Sequence, residues 1–132
     1  MAKREEFSVA GMAPPISHYC DAVRFGDLLF ISGIVGVDER GRVVGEGDAA
    51  RQTRQLFENM KKVLYAAGAG FGDVLKVTVF LTDIDDRARI NPVRQEFFGT
   101  ARPASTLVEV SKLVRPDLLV EIEAVVGLPG SK

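Results

Sequence analysis

Apolar residues are spaced in three ways along this chain, and each spacing predicts a different element. Leu56, Met60, Val63, Leu64 and Ala67 fall at i, i+4, i+7, i+8 and i+11, which is one face of a helix. That helix is predicted from about Asp48, a suitable N-cap, to Ala67, with Gly68 as its stop. Runs that are apolar almost without interruption predict strands instead. Leu28–Val35 is one, and Asp73–Thr82 is another whose pattern suits a central strand. Strict alternation marks a third class, over Ala104–Val110 and Leu118–Val126.

Punctuation residues supply the rest. Gly11, Pro14 and Pro15 make residues 1–19 an irregular lead-in, in which Glu5–Val9 has room for a short edge strand. Cys20–Phe25 reads as a strand, turned by Gly26-Asp27. A turn at Asp38–Gly41 returns through a short strand, Arg42–Val44. A second helical segment opens at Asp83–Asp86 and ends near Phe98-Gly99. Pro92 inside it predicts a kink, or a restart with Asn91 as cap. The order is then β-β-β-α-β-α-β-β. Two helices cannot cover both faces of so large a sheet, so they are expected on one face of a mixed sheet, an α+β layer. Leu107, Leu119 and Val125 are expected on the uncovered face, where apolar residues point to an oligomer interface.

Composition narrows the chemistry. The 132 residues are 46% hydrophobic and 27% charged, with a net charge of −1. This length predicts one domain over residues 1–132, with enough buried surface for a core without staples. Neither half is a basic tract, which argues against nucleic acid as a partner. One cysteine, Cys20, rules out a disulfide framework within the chain. One histidine, His18, rules out HExxH-type zinc sites and His-rich metal centres. No apolar stretch is long enough to span a membrane, and MAKREEF lacks the following apolar region of a secretory signal. A cytoplasmic, reduced protein is the default expectation.

Three separated segments then carry a family resemblance. The run QTRQLFENMKKVLYAAGAGFGDVLKVTVFLTDIDD, Gln52 to Asp86, closely resembles the reactive-intermediate deaminase (Rid, or YjgF-like) family. So do VEIEAVV, Val120 to Val126, and FISG, Phe30 to Gly33. The resemblance extends from about Tyr19 to Val126. It implies a chorismate-mutase-like α+β fold, and a homotrimer packed sheet to sheet with small-molecule clefts between neighbours. It also implies hydrolysis of small enamines and imines to a carbonyl product and ammonia, without metal or cofactor. Some members carry an older label, endoribonuclease. Against a ribonuclease stand the near-neutral charge, the lone histidine and the lack of an aromatic-basic platform.

Residue by residue, the resemblance implies that Tyr19, Ser32, Gly33 and Asn91 line the cleft and that Glu121 holds the attacking water. Three positions depart from the family pattern. Ser105 stands where active members have the arginine that grips a substrate carboxylate. Leu107 replaces a cysteine or small residue, and Arg94 replaces a common tyrosine. A serine offers one donor and no charge, so it cannot replace a guanidinium fork. The departures therefore imply a substrate other than the usual 2-imino acids, or a non-catalytic, ligand-binding or chaperone-like trimer.

Each candidate also has a plainer reading. Glu121 is a general acid or base in a desolvated cleft, or an interface glutamate paired with a cation. Arg94, three residues after Asn91 on one helix face, reaches the cleft, or it pairs in solvent with Asp86 or Glu96. Tyr19 is a ligand contact or a packing tyrosine. His18 reads as a surface histidine and Cys20 as a small buried hydrophobe. Ser105 has no base at motif spacing and makes a poor nucleophile.

Overall fold

The computed structural model describes residues 2–130. Six strands form one sheet in the order β1-β2-β3-β6-β4-β5: β1 Arg4–Phe7, β2 Ala22–Phe25, β3 Leu28–Val35, β4 Val74–Leu81, β5 Ala104–Glu109 and β6 Val120–Gly127. Every neighbouring pair is antiparallel except β4 and β5, which are parallel. Two helices, α1 Ala49–Ala66 and α2 Arg87–Phe98, lie on one face. The α+β layer and mixed sheet expected from the sequence are what forms.

The first helix matches its pattern closely. Leu56, Met60, Val63 and Leu64 are fully buried. Asp48 caps it, accepting from the Arg51 amide at 3.0 Å. Gly68 follows with φ +74°, a left-handed conformation that glycine adopts at little cost. The buried face meets Leu29, Ile31 and Ile34 of β3, Val77 and Val79 of β4, and Val120 and Ile122 of β6. A second cluster of rings, Phe57, Phe71, Phe97 and Phe98, joins α1 to the end of α2 with centroids 5.2–5.9 Å apart.

Four details differ from the sequence reading. Arg42–Val44 forms no strand; a single bridge, Val37 to Val43, closes that turn. Strand β2 starts at Ala22 rather than Cys20, because the Cys20 carbonyl is taken by the Ser32 hydroxyl at 2.7 Å and the Asp21 carboxylate accepts from the Val9 amide at 2.7 Å. Helix α2 does not restart at Pro92. It runs through Pro92 from Arg87, while buried Ile90, Val93 and Phe98 hold it to the core. The bond Pro92 cannot make would have gone to the carbonyl of Ala88, an exposed residue whose oxygen water can serve.

The fourth is the face of Leu107. Its cross-strand partner is Val79, which is fully buried beneath the helices. Leu107 therefore packs against the core on the covered face, and Leu119 also packs against the core, just before β6. Val125 does lie on the open face, in register with Phe30. Exposed Phe25, Leu28, Phe30, Leu75 and Val108 extend that open apolar face. Among the described residues no helix is long and apolar enough to cross a membrane.

Candidate functional site

Beside the open end of β3 lies a cavity of about 760 Å³. Tyr19, Ser32, Gly33 and Glu121 all line it, together with Asp21, Asn59 and Arg115. Its base is a break in the β3–β6 ladder. Ile31 pairs with Ala124 and Ile34 with Ile122, so two residues of β3, Ser32 and Gly33, face one of β6. Such a bulge bends the strand and re-aims its side chains.

Glu121 fills the space this creates. A Cβ added to Gly33 would lie 2.0 Å from Glu121 Oε2, so the carboxylate rests directly on the glycine. Only a residue without a side chain permits that approach. Among the described residues nothing hydrogen-bonds to this carboxylate. Burial pushes its pKa up from the ordinary value, and neighbouring Glu123 pushes it the same way. A carboxyl group of this kind takes and returns protons nearer neutral pH than an exposed one does.

The surrounding walls are fixed by buried amides that the apolar pattern did not disclose. Asn59 of α1 donates to the carbonyls of Val35 and Val37, at 3.1 and 2.8 Å, where the chain leaves β3. Gln52 donates to the carbonyls of Gly45 and Asp117 and accepts from the Leu119 amide at 2.9 Å. Gly36 lets α1 approach, since a Cβ there would meet the Gln52 carbonyl oxygen at 2.4 Å. Arg115 is anchored across the cavity mouth by Asp117 and the Gly41 carbonyl. The sequence signal for these residues was weak: two polar positions on the inward side of an amphipathic helix.

Tyr19 sits at the rim, about half exposed, and its Oη accepts from the Ile16 amide at 3.4 Å. That leaves its hydroxyl proton free to donate. His18 is exposed and lies outside the cavity lining.

Asn91, Arg94, Ser105 and Leu107 lie elsewhere. Ser105 pairs with buried Val77, so it points to the helix side of the sheet, whereas Glu121 pairs with Phe80 on the open side. Arg94 crosses from α2, and its Nη2 donates to Ser105 Oγ at 2.9 Å. Its expected surface pairing does not form: Asp86 is bound by Arg89 and Glu96 by Arg54. Asn91 is exposed one turn earlier on the same helix. One chain thus holds two separate groups of candidate residues. Among the described residues no cluster of His, Cys, Asp or Glu could hold a metal.

The family model described as endoribonuclease L-PSP matches residues 10–127. The chain belongs to that family. Its relatives within it include a RutC family protein of Pyrococcus horikoshii, 46% identical over 84% of this chain and 87% of the relative. The 3-aminoacrylate deaminase RutC of Acinetobacter baylyi is 42% identical over 87% of this chain and 90% of its own. A solved Rid family protein of Yersinia pestis superposes with a TM-score of 0.89, at 32% identity, covering 96% of this chain and all of the other. The Rid resemblance of the three sequence segments is thereby established, and the fold with it.

Proposed function

We propose that this Rid family member hydrolyses a small conjugated enamine or imine, with Glu121 as its acid and base, in clefts between the subunits of a homotrimer. The observation that carries the reading is the Glu121 carboxylate, partnerless, half-buried and seated on Gly33 in the wall of an open cavity. Glu121 takes a proton from water as the hydroxyl adds to the carbon of the C=N bond. It then returns that proton to the nitrogen and carries the adduct's hydroxyl proton there as well, so that the C–N bond breaks, ammonia leaves and the carbon becomes a carbonyl; an enamine enters as its imine tautomer, its carbon taking a proton and its nitrogen losing one. Ser32 and Gly33 shape the floor beneath the ligand, and Tyr19 offers its free hydroxyl at the rim. Relatives named for 3-aminoacrylate and for 2-iminobutanoate/2-iminopropanoate support hydrolysis of a small enamine or imine, and the absence of an arginine at Ser105 favours the first over the 2-imino acids. The apolar open face, with Phe25, Leu28, Phe30 and Val108 exposed, supports association of copies through their sheets.

The test is ammonia release from 3-aminoacrylate and from 2-iminobutanoate, each generated in the assay. Turnover of the first above that of the second, lost in Glu121→Gln, is the expected result. Equal rates with wild type, Glu121→Gln and no protein would replace the enzyme reading with the second one, a non-catalytic ligand-binding trimer. Ser105 favours that second reading, because the strand offers no charge at this position. Light scattering is expected to give three times the chain mass.

A further inference from the structure

We propose that Asp21 holds the substrate's nitrogen: its unpaired oxygen receives the N–H of the enamine or imine and balances the positive charge that the nitrogen gains before the C–N bond breaks. The proposal rests on the hydrolytic reading of the Glu121 cavity and deepens it, giving the ligand a second polar anchor that takes an N–H donor or a cationic nitrogen.

Four observations converge on this side chain. Asp21 lines the same cavity as Glu121. It also looks out from the same side of the sheet. The next residue, Ala22, pairs with Ile31, and both are buried beneath the helices. Successive residues of an extended chain point to opposite faces, so Asp21 takes the open side, as Glu121 does.

The position is tied down, which is the third observation. The Asp21 amide donates to the Phe7 carbonyl and the Asp21 carbonyl accepts from the Ser32 amide, each at 3.0 Å. Beside it, the Ser32 hydroxyl donates to the Cys20 carbonyl at 2.7 Å. Asp21 is therefore stitched to the Ser32-Gly33 bulge on which Glu121 rests. One carboxylate oxygen, Oδ2, accepts from the Val9 amide at 2.7 Å, and this sets the direction of the side chain.

The fourth observation is the other oxygen. Among the described residues nothing donates to Oδ1, and Asp21 takes part in no salt bridge. No side-chain oxygen or nitrogen among those residues is both buried and unpaired, so Oδ1 is open to the space beside it. The Arg115 guanidinium in the cavity wall is engaged by Asp117. Holding the Val9 amide needs only a neutral acceptor, so this half-buried carboxylate carries a charge that the contact does not use. Hydrolysis in this cavity develops the matching charge. As protons gather on the nitrogen of the adduct, it becomes cationic while still bonded to carbon. A fixed anion in a partly desolvated wall stabilises that charge more than bulk water does. Glu121 cannot do this while it carries the proton taken from water, because it is then neutral.

Ligand-observed NMR titration tests the nitrogen site without any need for turnover. The probes are 3-aminopropanoate, the saturated counterpart of 3-aminoacrylate, and propanoate, which lacks the nitrogen. Wild type is expected to bind the first more tightly than the second. Asp21→Asn keeps an oxygen for the Val9 amide and removes the charge. It is expected to weaken 3-aminopropanoate binding about tenfold or more and to leave propanoate unchanged. Asp21→Glu, which keeps the charge on a longer stem, is expected to retain part of the preference, and it covers an asparagine variant whose thermal melt shows misfolding. Glu121→Gln is expected to lose ammonia release and keep the preference, so failure of the chemistry and failure of the nitrogen site are read separately. Wild-type protein that binds neither probe, or both equally, overturns the proposal. So does a folded Asp21→Asn that keeps the full preference, the result expected of a side chain that only holds the Val9 amide.

Discussion

The two groups of candidate residues are built on opposite terms. The Glu121 half sits on interior strands β3 and β6, between a glycine that makes room and a helix whose amides pin the walls. Its reactive group is deprived of partners, and burial raises its pKa. The Arg94 half sits at the free edge, on β5 and α2, and rests on one hydrogen bond between side chains. Burial lowers the pKa of Arg94, which nonetheless stays charged at neutral pH. Enclosure tunes the first half toward proton transfer. Incomplete enclosure leaves the second half with donors to spare.

That contrast can be broken most sharply at Glu121. Glu121→Gln keeps the shape and removes the proton acceptor, and a loss of about a hundredfold or more in ammonia release is expected. A smaller loss would move the chemistry to another residue. Next in size is the packing that holds the edge half in place. Phe57→Ala removes the ring at the centre of the aromatic cluster and is expected to cost about 3–5 kcal/mol of stability, measured by denaturant unfolding.

Gly33→Ala strikes the interior half alone. Its methyl must displace the Glu121 carboxylate, so a loss of about 1–3 kcal/mol in stability is expected, with activity falling even in the folded fraction. The pH dependence of stability gives a finer reading. Glu121 binds its proton more tightly folded than unfolded, so its contribution is fully present below the unfolded value and is lost as pH rises through the raised folded value. Wild type is expected to lose melting temperature across that window more steeply than Glu121→Gln; parallel curves would show an unperturbed carboxyl. The smallest effect is expected at the surface. Arg54 and Glu96 form an exposed pair, and a double-mutant cycle should return about 0–1 kcal/mol.

Much of the fold was legible because its signals are local. The spacing of Leu56, Met60, Val63 and Leu64 marks a buried helix face whatever lies opposite, and Asp48 and Gly68 mark its ends. The alternation through Val120, Ile122, Ala124 and Val126 likewise names the covered face of β6. Short-range rules failed where a partner element decided the outcome. Arg42–Val44 has the composition of a strand but meets only Val43's single bridge partner, Val37. Pro92 breaks most helices, yet here the buried neighbours Ile90 and Val93 outweigh one missing hydrogen bond at an exposed carbonyl.

The candidate site divides in the same way. Glu121, Gly33, Ser32 and Tyr19 were named from sequence, and their shared cavity follows from a bulge that brings Gly33 beneath the carboxylate. Sequence alone also placed Arg94 and Asn91 on one helix face, because residues three apart on a helix are neighbours. Only the tertiary structure decided that Arg94 meets Ser105, that Leu107 turns inward with Val79, and that Glu121 looks out from the other side of the sheet. The reason is physical: a residue's face on a strand is fixed by register with neighbouring strands, and register is set by contacts between segments far apart in the chain.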